Sequence, residues 1–222
     1  MGLLVRTWNV FHGNAVPPGR RAYLREMVEL VTADGPDVVC LQEVPVWALG
    51  HLDGWSGMRA FGAVGARPLF RSAELGRWAT ELHHGLLRSA VTGEALATLV
   101  SRRHAVSRER REPVGPKRTL LAVQLDPGPL VCNFHVTGGA VAEEQFRTVL
   151  ALAQGEQVVL AGDVNLRPPY ESSGFSEPLA ASIDQILVRG LPSTPPVAWP
   201  ADRRRAGGRL LSDHAPVEVT VG

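Results

Sequence analysis

The residues of this chain that have the means to do chemistry stand at the ends of apolar runs. DVVCLQEV ends on Gln42 and Glu43, LVCNFHVTGG carries Asn133 and His135, and VVLAGDVN delivers Asp163 and Asn165. LLSDHAPV sets Asp213 and His214 ahead of the last apolar stretch, Asp184 interrupts SIDQIL, and Asn9 lies inside LLVRTWNVF. Carboxylate and amide oxygens suit a hard cation such as Mg²⁺, a carboxylate can serve as base toward water, and imidazoles can face a developing anion. Together the set fits hydrolysis aided by a divalent cation. Taken singly, each member has a structural alternative. Asp forms turns, Asn marks bulges, His sits satisfied beside strands, and Glu caps helices. Asn9 is the sharpest case, because an amide buried without partners costs about 1–3 kcal/mol.

The elements that must hold these groups follow from hydrophobic periodicity. Residues 3–11 are expected as strand, and Tyr23 to Val31 as a helix stopped by Asp34-Gly35-Pro36. Short apolar runs at 37–41, 95–101, 119–125, 130–134 and 157–162 are expected as strands, with weaker alternation at 181–188 and a closing strand at 216–221. Helices are expected over 74–88 and, most clearly, 140–153, while the Pro- and Gly-rich stretches 166–178 and 190–208 are loops. Strands outnumber helices and occur both in pairs and flanked by helices, which points to sheets packed face to face with helices outside.

The 222 residues suit one domain, 1–222, with a substantial core. A hydrophobic share of 45% and a net charge of +1 exclude a disordered chain and a polycation, so any affinity for phosphate must come from local placement of charge. Cys40 and Cys132 lie in apolar runs and are expected as small buried hydrophobes. Arg6 interrupts the first apolar run, and no run reaches the length of a membrane span, so no signal-peptide core is expected and a cytoplasmic location is the default.

The series T-W-N-V, L-Q-E-V, N-F-H, G-D-V-N, S-I-D-Q-I-L and S-D-H-A-P, in that order from Asn9 to Pro216, resembles the endonuclease/exonuclease/phosphatase superfamily with its deoxyribonuclease I-like fold. The resemblance implies a four-layer α/β/β/α sandwich of two mixed sheets, with the site at one end. It also implies Mg²⁺, with Mn²⁺ as a substitute, and a phosphoester substrate. By the same resemblance Glu43 is the main metal ligand, Asn9 lies beside metal and phosphate, and Asp213 is a further ligand. Asp163 activates the attacking water, and Asn165 contacts a phosphate oxygen or holds that aspartate. His214, backed by Asp184, faces the scissile phosphate, and His135 is an acid for the leaving oxygen, its carboxylate partner unnamed.

Two positions depart from the family pattern. Phe11 stands where some nuclease relatives carry a second acid, which argues against the abasic-site branch. Gly93-Glu94-Ala95 replaces a frequent Gly-Asn-Ala, with no reading available from sequence. Arg102, Arg103, Arg108, Arg110, Arg111, Lys117 and Arg118, and again Arg203 to Arg205, form basic segments that suit either solvated loops or a rim for nucleic acid. Arg118, at the start of a strand, is the candidate for direct contact with phosphate. His12 and Trp199 are open as cleft residues. Three functions therefore stand: a Mg²⁺-dependent nuclease on DNA or RNA, a phosphoesterase of a small or lipid-borne phosphate, and a non-catalytic binding protein that keeps the fold.

Overall fold

The computed structural model describes all residues except 1, 19–20, 70–71, 83–90 and 173. In chain order the elements are β1 (Leu3–Asn9), β2 (Ala15–Val16), α1 (Leu24–Thr32), β3 (Val38–Val44), α2 (Leu52–Ser56), β4 (Arg59–Ala66), α3 (Ala73–Leu82), β5 (Glu94–Val100), β6 (Ala105–Gly115), β7 (Arg118–Asp126), β8 (Leu130–His135), α4 (Ala142–Leu152), β9 (Val158–Asp163), β10 (Asp184–Arg189), β11 (Val197–Ala198), β12 (Arg205–Ala206), β13 (Arg209–Leu211) and β14 (Val217–Val221). Short 3₁₀ turns lie at Phe11–Gly13, Val46–His51 and Ala201–Arg204.

A six-stranded sheet in the order β11-β14-β1-β3-β5-β4 faces a five-stranded sheet in the order β10-β9-β8-β7-β6, and both are mixed. β-Branched residues from the inner faces interdigitate between them, among them Val5 and Val38 from one sheet and Val123, Val131, Val159 and Ile186 from the other. Cys40 belongs to this inner layer and Cys132 to the outer face of the second sheet, both buried as expected. α1 covers the first sheet with Leu24, Met27, Val28 and Val31, one apolar stripe at helical spacing, and α4 covers the second with Ala142, Phe146 and Val149. These four layers are the expected sandwich.

The differences from the sequence reading are local. The first strand ends at Asn9 rather than residue 11, because Phe11 and His12 take left-handed backbone. The helix expected over 74–88 is seen as α3, and its expected continuation over 83–88 lies outside the described residues. β4 and β6 were not expected. Inside the loop 190–208, β11 and β12 are two-residue strands.

One end of the sandwich gathers the strand ends that matter. Parallel β1 and β3 both finish there, as do parallel β8 and β9, while antiparallel β5, β7, β10 and β14 begin there. Beneath that end a buried polar bridge ties the two sheets. Gln42 donates to Asn133 Oδ1 (2.8 Å) and to Thr7 Oγ1 (3.0 Å), and Asn133 donates to the carbonyls of Leu41 (3.1 Å) and Ala97 (2.9 Å). Gln42 and Asn133, polar groups at strand ends, are thus the floor of the site.

Candidate active site

Register places most of the functional side chains. His135, Asp163 and Asp184 are direct neighbours across β8, β9 and β10, so one row of three strand ends carries three reactive groups. On the facing sheet Asn9 pairs with Gln42, and a bulge in β3 between Leu41 and Val44 turns Glu43 out of the regular pleat. Glu43 has φ 54° and Asn165 φ 52°. Among the described residues the other non-glycine positive-φ positions are Phe11, His12, Lys117 and Ser212, all in turns at this same end or in the S-D-H loop. Strained backbone collected in one place is a mark of a functional site. Gly162 has a steric reason, since a Cβ there would lie 2.1 Å from the Phe134 carbonyl oxygen; only glycine lets β9 approach β8 just before Asp163.

Asn9 joins the two sheets. Its Nδ2 donates to Glu43 Oε1 (3.1 Å) and to Asp163 Oδ2 (3.0 Å), while its Oδ1 accepts the Phe11 N–H (3.0 Å). The amide therefore presents nitrogen, not oxygen, to the carboxylates. Asp163 is 1% exposed, and its Oδ1 accepts the Asn165 N–H at 2.8 Å. Asn165 Nδ2 donates to the Val136 carbonyl (2.8 Å) and lies 3.2 Å from His135 Nε2.

Two imidazoles are each backed by a carboxylate. His214 Nδ1 lies 2.9 and 3.1 Å from the Asp184 oxygens and 3.9 Å from Asp163 Oδ2. Burial opposes charge on this imidazole. The hydrogen bond and charge of Asp184, with Asp163 and Asp213, outweigh it and raise its pKa to about 9. Burial also pushes the Asp184 carboxyl upward, against the pull of His214. His135 Nδ1 lies 2.9 Å from Glu94 Oε1, and its Nε2 reaches within 3.6 Å of Asp163 and 3.9 Å of Glu43. Burial would raise the Glu94 carboxyl, but the hydrogen bond from His135 and the charges of His135 and Arg118 hold it at about 2. Glu94 is thus the partner of His135, placed by the Gly-Glu-Ala departure.

Not every expected residue stands where substrate would. Arg118 spends its guanidinium on Glu94, on Thr137 Oγ1 (3.0 Å) and against His135 Nδ1 (3.0 Å), behind that ring. Asp213 is half-exposed; its contacts are Ser212 and His214 Nε2 (3.9 Å), and no hydrogen bond or ion pair joins it to Glu43 among the described residues. His12 does line the site, with Nε2 3.5 Å from Glu43 Oε2. Trp199 does not. It is buried between the guanidinium groups of Arg6 and Arg203, 4.9 and 3.6 Å from its ring, and donates to Glu218.

The basic segments do not form one rim. Arg103 pairs with Asp37 and Arg102 with Asp53, both at the opposite end of the sandwich, and Arg110 and Arg111 face Glu112 and Glu109. From the first segment, Lys117 and Arg118 stand at the site end, at the start of β7. Arg204 is 8% exposed and donates through Nη1 to the carbonyls of Leu211 (3.0 Å), Ser212 (3.0 Å) and His214 (2.8 Å). With Trp8, which donates to the same His214 carbonyl (3.0 Å), it fixes the loop that carries the His214 imidazole. Ser212 Oγ completes the clamp by donating to the Asn9 carbonyl (2.7 Å) and accepting the His214 N–H (3.1 Å).

Asp163, Asp184 and His214 bring potential ligand atoms within 4.8 Å of one another. Both Asp184 oxygens and His214 Nδ1 are engaged with each other, however, which leaves Glu43 and the half-exposed Asp213 as the more available carboxylates. An oxygen donor set with room for waters fits a hard divalent cation better than a soft one.

Comparison with known proteins bears on the fold and the family. A search of curated proteins finds no match. Among solved structures, zebrafish (D. rerio) TDP2 humanized by 14 mutations matches with TM-score 0.72 and 18% identity over 100% of this chain and 99% of that one. An endonuclease/exonuclease/phosphatase from Beutenbergia cavernae DSM 12333 matches with TM-score 0.73 and 18% identity over 100% and 72%. D. rerio TDP2 complexed with single-strand DNA product matches with TM-score 0.70 and 16% identity over 100% and 99%. At these identities the likeness is one of fold. The family model described as Endonuclease/Exonuclease/phosphatase family matches residues 7–214, from the first strand to His214, and the chain belongs to this family of metal-dependent phosphoric ester hydrolases.

Proposed function

We propose that the chain, acting as one catalytic domain, is a Mg²⁺-dependent phosphodiesterase that cleaves nucleic-acid strands. The observation that carries this is the convergence on Asp163. Asn9 and the Asn165 N–H hold its two oxygens, and two carboxylate-backed imidazoles lie within 4 Å of its Oδ2. Glu43 would hold the cation, with Asp213 available as a second ligand. When bound, the cation supplies Lewis-acid polarisation of the phosphoryl oxygen and charge neutralisation.

Asp163, its two oxygens held by the Asn9 amide and the Asn165 N–H, accepts the proton of the attacking water. His214, charged below about pH 9 and held by Asp184, donates to a non-bridging oxygen as negative charge grows there. His135 takes the leaving side. Its Nδ1 is held against Glu94 and Arg118, which leaves Nε2 to exchange a proton with the departing oxygen, and Asn165 is placed to donate to the same phosphate. Asn9 keeps Glu43 and Asp163 at fixed separation without itself offering an oxygen.

A nucleic-acid strand is supported by the solved relative bound to a single-strand DNA product. A second reading, a small phosphate ester, is favoured by the pairing of the arginines, which leaves few free cations for a long backbone. Hydrolysis of bis-p-nitrophenyl phosphate, p-nitrophenyl phosphate, plasmid DNA, RNA and short oligonucleotides, with Mg²⁺, Mn²⁺ or EDTA, separates the two. The nuclease reading expects metal-dependent cleavage of oligonucleotides and the diester, and a loss of about a hundredfold or more in kcat for His214→Ala. Cleavage of monoesters alone overturns it, and turnover untouched by His214→Ala overturns the mechanism.

A further inference from the structure

Outside the catalytic end, the outer layer over the first sheet holds a cavity of about 480 Å³ between α1, the Val46–His51 turn, α2 and α3. Its floor is aromatic. Trp47 meets Trp55 and His51 edge-on, with ring centres 6.1 and 6.0 Å away, while His51 and Trp55 stack at 5.4 Å with their planes only 12° apart. His51 is exposed and Trp55 partly so, leaving this stacked pair accessible to a further planar group. Around the aromatics stand Arg21, Arg25 and Arg77, opposed by Glu26 and Glu29. Arg21–Glu26 and Arg25–Glu29 are surface pairs with arginines more than half exposed, and such pairs contribute little and exchange readily for another anion.

The wall of the cavity touches the turn that follows Asn9. Leu24 in its wall packs on Gly13, where a Cβ would lie 2.8 Å from that of Leu24, and Gly13 follows His12, which faces Glu43. Trp47 comes four residues after Glu43 on the same chain. A volume in the range of ligand sites, an aromatic stack at its base and arginines at its rim match one kind of ligand, a flat base carrying a phosphate.

We propose that this cavity binds a nucleotide unit, the base stacking against the His51–Trp55 pair and the phosphate exchanging onto Arg21 and Arg25. The choice of a nucleotide over another aromatic anion rests on the nuclease reading given above. The unit is either a free mononucleotide or one residue of a strand whose cleaved phosphate lies at Asp163, and the chemistry of recognition is the same in both.

Binding in EDTA, where no hydrolysis occurs, tests this apart from catalysis. Adenosine 5′-monophosphate and an oligodeoxyadenylate of eight residues are titrated into the whole protein with tryptophan fluorescence as readout, alongside Trp55→Ala, His51→Ala and Arg25→Glu. Quenching is expected in the wild type, with affinity weakened about tenfold by each variant, and bis-p-nitrophenyl phosphate hydrolysis in Mg²⁺ unchanged. Equal affinity for both ligands assigns the site to a free nucleotide, whereas at least tenfold tighter binding of the octamer, lost in the variants, assigns it to a strand. Arg25→Glu lies on an exposed helix face, so it reports even if Trp55→Ala destabilises the fold. Absence of quenching, or affinities identical in wild type and Arg25→Glu, overturns the proposal. Failure of hydrolysis with quenching intact would instead count against the nuclease reading.

Discussion

At the scale of the residue, the site is organised by groups that touch carboxylates rather than by the carboxylates alone. Glu94 illustrates it. The residue is 14% exposed in its side chain and shares one oxygen between His135 and Arg118. Replacing it by Gln keeps the shape and removes the charge, leaving the guanidinium of Arg118 half-compensated and the His135 tautomer unfixed. Glu94→Gln is expected to cost about 3 kcal/mol in urea unfolding and to lower kcat more than it raises KM on bis-p-nitrophenyl phosphate. Unchanged kcat with the stability lost would make Glu94 a structural partner only. Its role was illegible in the sequence because the partner is 41 residues away and on the other sheet. Asn9, by contrast, announced itself as an amide in an apolar strand, and its demand for partners is met by three contacts.

At the scale of the element, the S-D-H loop is held by donors from elsewhere. Arg204 reads in the sequence as one of three consecutive arginines, a pattern of a solvated face, and its burial cannot be told from its neighbours Arg203 and Arg205. Arg204→Met removes the Nη1 donors shared by three carbonyls and is expected to destabilise the protein by about 3 kcal/mol or more. Arg204→Lys, retaining charge but not the fork, recovers part of that stability and less of kcat, measured side by side.

Ser212 separates backbone from side chain in the same loop. Its φ of 59° suits glycine, while its Oγ makes two of the clamp's hydrogen bonds. Ser212→Gly should therefore be more stable than Ser212→Ala by about 1 kcal/mol, with both losing activity to a similar degree. Equal stabilities would deny the backbone strain. The missed strands have equally physical reasons. β4, RAFGAVGA, carries two glycines and mostly half-exposed side chains, and β6 lies at a sheet edge, where alternating Arg and Glu discourage pairing with another chain and hide the apolar rhythm.

At the scale of the whole molecule, ionisable groups tie distant parts of the chain and set the pH range in which it is stable. Arg6, almost wholly buried in β1, pairs with Asp34 after α1 and with Glu218 in β14, and Asp37 accepts from Leu4, Arg103 and His104 at the far end of the sandwich. For Asp34 the hydrogen bond from Arg6 is the leading cause of a lowered pKa. For Asp37, Glu218 and Glu94 burial works the other way and is outweighed by hydrogen bonds and cations. A carboxyl depressed on folding adds stability that is present above its unfolded pKa and lost as pH falls through the folded one. For Glu94 that loss runs from about 4.5 toward about 2. His214 acts oppositely. Its folded pKa is raised, so its contribution is full below about 6.5 and fades as pH rises through about 9. Urea unfolding in EDTA is therefore expected to show a broad maximum between about pH 4.5 and 6.5, with a steep fall on the acid side and a shallow one on the alkaline side. Asp34→Asn should flatten the acid limb and His214→Gln the alkaline limb. Stability that climbs steadily from pH 5 to pH 9, or an alkaline limb indifferent to His214→Gln, would show that the Asp184–His214 pair does not hold its proton as the geometry requires.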